Sequence, residues 1–251
     1  MRNRSHQPCR GVACAVIVVV FLLLAVPPGA VSGETNPGIA PIQSHPHGHT
    51  YGEWAARWWQ WALGLPVTGH PVLDLTGEHC AQGQTGRVWF LAGTFGGQLF
   101  PEPVPVERQC TVPNGTALFF PLISSFVGAF LNDPPEARTE AFLRAQIACV
   151  NAELSAEIDG VPVQNPLQYF EKSPLFDVHL PPDNIFGLGE DVIPELRLSP
   201  SVDQGFYLFV RPQPPGEHTL RWRAFWVCPF PPFDFEENVT YHLTVSAGAA
   251  P

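Results

Sequence analysis

The strongest pattern of apolar positions begins after Thr50. Aromatic and aliphatic side chains recur there every three or four residues, a spacing that places them on one face of a helix. That face comprises Tyr51, Trp54, Ala55, Trp58, Trp61, Ala62 and Leu65. Thr50 and Glu53 have the spacing of a capping box, and Pro66 ends the pattern. We therefore predict a helix near 51–63 that packs on a sheet. Trp59 lies beside the stripe and is the best candidate for an exposed tryptophan.

A second helix is predicted near 134–150. Asp133 is suited to cap it, Pro134 to occupy its first position, and Glu136 to close a capping box. Its apolar face would comprise Phe142, Leu143, Ile147 and Val150. Residues with this spacing share one side of a helix, so the element is expected to pack through them.

Most of the remaining chain has the pattern of short strands and turns. Apolar and polar residues alternate in 218–223 and 239–245, which is typical of strands with one packed face, and strands are predicted over 218–227 and 239–245. Asp159-Gly160 is a preferred two-residue hairpin turn, here between 154–158 and 161–163. The other predicted strands are 87–92, 116–123, 176–180 and 206–211.

Strands about ten residues apart, separated by Gly and Pro, favour a β-sandwich. We therefore expect a mainly β fold, an antiparallel β-sandwich of the immunoglobulin-like or jelly-roll-like kind, with the two helices packed on it. The chain shows neither a clean linker nor an internal repeat, so residues 50–247 are expected to form a single domain, followed by a tail at 248–251.

The N-terminus has the three parts of a secretory signal peptide. Basic residues precede an apolar run over 12–26, and small residues follow it. The run is shorter than the roughly 20 residues that a membrane-spanning helix needs. We predict that 1–32 is a signal peptide cleaved near Ser32 or Gly33, the alternative being an uncleaved N-terminal anchor. The Gly-, Pro- and His-rich segment 33–49 is expected to be a flexible, exposed leader.

Export changes the charge balance of the chain. Of 13 basic and 23 acidic residues, three basic ones lie before Ser32, so the mature chain would carry 10 − 23 = −13. Such a surface repels polyanions, which makes nucleic acid an improbable partner. The protein is thus expected to be secreted or periplasmic, without a membrane span in its mature form, and its partner would be a ligand found in that compartment.

Four cysteines remain after cleavage: Cys80, Cys110, Cys149 and Cys228. An even number in an exported chain favours two disulfides, although three pairings are possible. Cys80 and Cys110 flank a compact run of strand and turns, so we predict that they pair. Cys149 and Cys228 would then tie the second helix to the last strands. The alternative is four buried free thiols.

Several segments resemble a family of uncharacterised exported bacterial proteins. The most distinctive is Tyr-Gly-Glu-Trp-Ala-Ala-Arg-Trp-Trp-Gln-Trp at 51–61. The others are 74–77 with Cys80, 88–93, 112–121, 184–187, 215–219 and 239–245. The similarity spans nearly the whole mature chain. It implies export and a shared fold, and it carries over no catalytic or binding residue.

The main candidate metal ligands in the sequence are histidines. His45, His47 and His49 alternate in an extended segment, so their imidazoles could approach one Cu or Zn ion. The alternative is a leader that carries histidines incidentally, and no cofactor is predicted. A second, loose cluster comprises His70, Asp74, Glu78 and His79. A hydrogen-bond network in a loop is the simpler role for it.

The sequence contains neither a nucleophile elbow, nor a zinc-protease motif, nor a phosphate-binding loop. Our first hypothesis is therefore an exported binding or structural protein with an unknown ligand, bound where the Trp-rich helix meets the sheet. Its candidate residues are Glu53, Arg57, Trp59, Asp74 and His79. The first two are spaced to form a surface pair. The alternative is a secreted hydrolase or metal-assisted enzyme that uses His70, Asp74 and His79, or the leader histidines. Convergence of these residues in one pocket would favour the enzyme.

Overall fold

The computed structural model describes Asn36 and residues 38–95, 105–228 and 234–249. The predicted signal peptide lies outside the described residues. The helices are α1 (Tyr51–Gly64) and α2 (Glu140–Gln146). The strands are β1 (Val88–Phe90), β2 (Val106–Asn114), β3 (Ala117–Phe130), β4 (Val150–Ile158), β5 (Val161–Pro162), β6 (Phe170–Lys172), β7 (Phe176–His179), β8 (Arg197–Val210), β9 (Gly216–Val227) and β10 (Asp234–Ala249).

The described strands form two packed five-stranded sheets, which confirms the mainly β sandwich with two helices. Sheet A has the order β1-β3-β8-β6, and β7 also pairs with β8. Sheet B has the order β2-β10-β9-β4-β5. Both sheets are mixed rather than wholly antiparallel, because β1 runs parallel to β3 and β2 runs parallel to β10.

Sheet A is the middle of three layers, with α1 on one face and sheet B on the other. Neighbouring residues of β3 show this directly, since successive side chains of a strand point to opposite faces. The Phe119 ring lies 6.0 Å from Tyr51 of α1, whereas the Phe120 ring lies 4.8 Å from Trp222 of sheet B. The main core fills both interfaces.

A bulge in β3 changes which side chains face α1. The pairing register with β8 shifts between Pro121 and Ile123. Before the shift the odd-numbered Phe119 faces the helix, and after it the even-numbered Phe126 does. One inserted residue reverses the facing of a strand because the side-chain period is two. The bulge therefore supplies an additional ring to the helix interface.

The second helix begins later than predicted. Asp133 does not cap it, because its carboxylate accepts the backbone N–H of Phe130 instead. Pro134 is extended, a 3-10 turn follows at Pro135–Arg138, and α2 begins at Glu140. Thr139 is the observed cap, since its side chain accepts the Phe142 N–H.

The disulfides Cys80–Cys110 and Cys149–Cys228 are both present, as predicted. The first joins the segment before β1 to β2, and the backbone N–H of Gln109 donates to the Thr76 carbonyl beside it. The loop at 74–77 thereby covers part of the open edge of β2, an edge that could otherwise pair with another chain. Disulfides are typical of oxidising environments outside the cytoplasm.

The described part of the segment before α1 contacts the sheet. Ile39 forms a β-bridge with Val210, and the Ala40 N–H donates to the Phe209 carbonyl at 2.8 Å. Ile39 and Ala40 are buried, whereas we expected an exposed leader there. Tyr51 donates its hydroxyl proton to the Ala40 carbonyl at 2.6 Å, so the segment is tied to the helix as well.

Candidate functional site

The tryptophans of α1 anchor the helix through their indole N–H groups. Trp58 donates to the Leu91 carbonyl at 2.9 Å and Trp61 to the Gln82 carbonyl at 3.0 Å. Each is buried, as expected for the apolar stripe. A buried indole N–H needs such a partner, because leaving it unpaired costs free energy. The stripe is therefore used mainly for packing, and Trp61 also lines the groove described below.

The prediction that Trp59 is exposed is wrong. Its relative exposure is 6%, its indole stacks on Phe126 at 4.7 Å between ring centroids, and Phe95 lies 6.0 Å away. The indole N–H donates to Asp203 Oδ2 at 2.7 Å. Trp59 is buried because sheet A extends beyond the stripe and covers the flank of the helix as well.

Asp203 is a fully buried carboxyl beneath α1. Its Oδ2 accepts from Trp59 and from the Tyr207 hydroxyl, at 2.7 and 2.6 Å. Burial raises the pKa of Asp203 from 3.8 to about 7, and these two donors offset only part of that rise. Oδ1 has no hydrogen-bond partner among the described residues. The group ties the helix to β8 and titrates close to neutral pH.

A second buried polar centre lies between the sheets. The guanidinium of Arg108 donates to the carbonyl oxygens of Asp74, Ala92 and Gly93 at 2.7, 2.5 and 3.0 Å. Nearby, Glu237 accepts the backbone N–H and the hydroxyl of Thr94. Burial raises the pKa of Glu237 to about 8, although Thr94 and the charge of Arg108 act in the opposite direction. This centre joins the segment after β1 to sheet B.

Glu53 and Arg57 do not form the surface pair that we predicted. Glu53 accepts the Thr50 N–H at 2.7 Å and completes the predicted capping box, which lowers the pKa of its carboxyl. Arg57 instead lies over the Trp54 ring, with its Cζ 5.5 Å from the ring centroid. The carboxylate is held by the helix N-terminus, so the guanidinium is left without an acidic partner among the described residues.

Asp74 is engaged in its own loop. Oδ1 accepts the Thr76 N–H and Oδ2 accepts the His79 N–H, both at 2.8 Å. Partial burial raises the pKa of Asp74, but these donors outweigh it and hold the pKa below its usual value. His79 contributes its backbone to this turn, and its exposed ring lies beside Gly69.

His70 has a structural role at the end of α1. Its Nδ1 accepts the Val72 N–H, so Nε2 carries the proton and donates to the Ala62 carbonyl at 2.8 Å. Burial lowers the pKa of His70 and favours the neutral ring. His70, Asp74 and His79 are therefore neighbours in one loop, where their hydrogen bonds go mainly to backbone groups. None of the three lines the grooves beside Arg57 and Arg223 that are described below.

Of the histidines at 45, 47 and 49, the last two contact different aromatic side chains. His47 lies 5.8 Å from Phe209 and His49 lies 5.2 Å from Trp54, measured between ring centroids. A 3-10 turn at Pro46–Gly48 interrupts the extended backbone that we expected. Across the described ranges, no three His, Cys, Asp or Glu side chains gather in a group that could hold a metal ion.

A groove of about 360 Å³ runs along the exposed side of α1. Its lining includes Arg57, Gln60, Trp61, Leu65, Thr85 and Phe90. Trp61 and Phe90 form an aromatic floor, with ring centroids 5.6 Å apart, while the helix supplies a cation and an amide at the rim. Such a combination of apolar floor and few polar groups is typical of small-molecule sites. Of the predicted ligand-binding residues, only Arg57 lies in this groove.

The outer face of sheet B carries a groove of about 420 Å³, lined in part by Arg223, Phe225 and Glu236. Its arginine is already compensated, since Arg223 Nη2 lies 3.5 Å from Glu236 Oε1. An anion would have to compete with that carboxylate. The groove along α1 has no such competitor among the described residues and is the better candidate site.

Sequence reasoning missed two buried carboxyl groups whose pKa values are strongly raised. Asp203 and Glu237 both belong to strands. For Glu237 the available signal was its position in the strand, because it shares a face with the buried residues Val239 and Tyr241. An acid at such a position is either buried or functional.

Comparisons with known proteins give little further information. No family model and no curated protein matches the chain. Among solved structures, a cysteine protease inhibitor from Entamoeba histolytica is similar over 55% of this chain and 85% of that chain, with 12% identity and a TM-score of 0.18. A TM-score this low carries no argument about fold or function.

Neither helix in the described part of the chain combines the length and the apolar composition that a membrane-spanning helix requires.

Proposed function

We propose that the protein is an exported binding protein that takes a small aromatic carboxylate in the groove along α1. The observation that carries this proposal is Arg57. Its side chain is exposed at the groove, and no carboxylate of the described residues lies within ion-pairing distance of it. In a mature chain with a net charge of −13, an arginine that has no acidic partner in the described ranges and lies beside an aromatic floor favours an anionic ligand with a flat body.

Each part of such a ligand has a matching group in the groove. Arg57 can donate two parallel hydrogen bonds to a carboxylate, the geometry for which a guanidinium is suited. Trp61 and Phe90 provide edge or face contacts to an aromatic ring. Gln60 Nε2 already donates to the Asp177 carbonyl at 2.9 Å, so its amide oxygen is left to accept from the hydrogen-bond donors of a ligand. Export is supported by the N-terminal pattern and by the two disulfides.

The test is a calorimetric titration of the protein with benzoate and with benzamide, which have the same ring and differ in charge. We expect benzoate to bind and benzamide to bind at least tenfold more weakly. Arg57→Gln should remove that difference. Arg223→Gln makes the same charge change on the outer face of sheet B and should leave benzoate binding unchanged. Equal effects of the two substitutions would show that net charge, and not the groove, attracts the anion.

A further inference from the structure

A separate apolar pocket lies at the end of sheet A where β3 meets the loop before β8. Its volume is about 240 Å³. The lining includes Phe126, Val127, Phe130, Phe186, Leu188 and Ile193, and the remaining lining residues are Gly128 and Leu198. None of these side chains carries a charge or a hydrogen-bonding group. A ligand of this pocket must therefore be recognised mainly by apolar contact.

The loop that closes one side of the pocket is held in shape by one buried polar residue. Asn184 is 2% exposed. Its Oδ1 accepts the Phe186 N–H at 3.1 Å, and its Nδ2 donates to the carbonyls of Pro181 and Leu188 at 3.1 and 2.8 Å. Asparagine commonly organises turns in this way. The amide thus fixes the backbone on both sides of the aromatic residue at 186.

The same loop leaves Phe186 partly exposed. Its relative exposure is 42%, although it lines the pocket with an apolar ring. Folding buries only part of this ring, so burial alone does not account for its position. A rigid loop that presents an aromatic ring at the mouth of an apolar pocket is instead suited to contact a ligand. Low conformational entropy in the free loop lowers the cost of binding.

The volume limits the ligand to a small molecule. An apolar protein cavity of about 150 Å³ holds benzene, so by proportion a pocket of about 240 Å³ holds about ten carbon atoms. We propose that the Phe186 pocket binds a neutral, apolar small molecule of bicyclic-aromatic or medium-chain aliphatic size. This site is independent of the groove along α1, where the ligand is expected to be anionic.

The experiment is a titration with naphthalene, followed by its own fluorescence, with 2-naphthalenesulfonate as the charged counterpart. We expect saturable binding of naphthalene and at least tenfold weaker binding of the sulfonate, because the pocket lacks a cation. Phe186→Ser should weaken naphthalene binding about tenfold, as expected for the loss of one aromatic contact. Leu188→Trp, which fills the pocket, should abolish it.

The controls use residues outside the pocket. Phe142→Ser removes another exposed phenylalanine, 48% accessible on α2, and should change naphthalene affinity by less than twofold. Arg57→Gln should have no effect on naphthalene, which separates this site from the proposed carboxylate groove. Circular dichroism and the urea midpoint of Phe186→Ser should match the wild type.

Three results would overturn the proposal. The first is the absence of saturable naphthalene binding, and the second is equal weakening by Phe186→Ser and Phe142→Ser. The third is a dimer in sedimentation experiments that Phe186→Ser dissociates, since the ring would then contact a second copy of the chain.

Discussion

The buried carboxyl of Asp203 predicts an unusual pH dependence of stability. Its pKa is about 7 in the folded protein, against 3.8 when the carboxyl is solvated. Between these values the folded chain keeps a proton that the unfolded chain releases. The native state then binds more protons, so the free energy of unfolding falls as pH rises. This stabilisation is complete below about pH 3.8 and is lost as pH rises through 7.

The magnitude follows from the size of the shift. Each pKa unit corresponds to about 1.4 kcal/mol, so a shift from 3.8 to about 7 is linked to about 4 kcal/mol in total. Part of this stabilisation is already lost at pH 5, so the free energy of unfolding should fall by about 3 kcal/mol more between pH 5 and pH 8. Glu237 acts with the same sign, since burial raises its pKa as well. The wild type should therefore be clearly less stable at pH 8 than at pH 5.

Asp203→Asn isolates the contribution of this group. The amide oxygen can still accept from Trp59 and Tyr207, and the amide cannot ionise. Urea unfolding followed by tryptophan fluorescence at pH 5 and pH 8, with the disulfides intact, measures both proteins. The loss of stability from pH 5 to pH 8 should be about 2–3 kcal/mol smaller in the variant. The contributions of other titrating groups to the pH dependence are the same in both proteins, so they cancel when the two are compared.

Asp183→Asn, a substitution of an exposed aspartate, is the matched control and should retain the wild-type pH dependence. If Asp203→Asn also retains it, the carboxyl is solvated or permanently ionised in the folded protein. The assignment of a buried, proton-binding acid beneath α1 would then be wrong.

Further predictions concern the packing of α1 and the covalent links. Gly52→Ala should destabilise the protein by several kcal/mol in urea unfolding, since a Cβ there would collide with the Lys172 carbonyl. Thr50→Ala should remove the helix cap and lower the unfolding free energy by about 1 kcal/mol. Replacing Cys149 and Cys228 by Ser should lower it by about 4 kcal/mol, because that bridge closes a loop of 79 residues. Intact mass of the wild type should rise by four hydrogens on reduction.

Local sequence patterns predicted the elements that depend on contacts between residues close together in the chain. The spacing of apolar residues located α1, and the pair Thr50 and Glu53 identified its cap, since both depend on contacts within one turn. Asp159 and Gly160 have positive φ, as the predicted two-residue turn requires. The limits of α2 were less accurate, because Asp133 found a nearer donor in the preceding strand.

The candidate site was only partly predictable. Arg57 was identified from its helical position, and the groove beside it contains Phe90 and Thr85 from another part of the chain. Their approach depends on how the segment before β1 packs against the helix. Glu53 forms the predicted capping box, and its predicted pairing with Arg57 is absent for a physical reason. A carboxylate that can satisfy free N–H groups at a helix start is bound there more strongly than by an exposed cation four residues away.

The sequence by itself determined the class of the fold, β-rich with a tryptophan-rich helix, and it favoured two disulfides among four cysteines. Only the tertiary structure decided that β1 and β2 join their sheets in parallel, that Trp59 is buried, and that Asp203 lies beneath it. The reason is that burial and pKa depend on the neighbour across a sheet, and Trp59 and Asp203 are 144 residues apart in the chain. Residue spacing carries no information about such a contact.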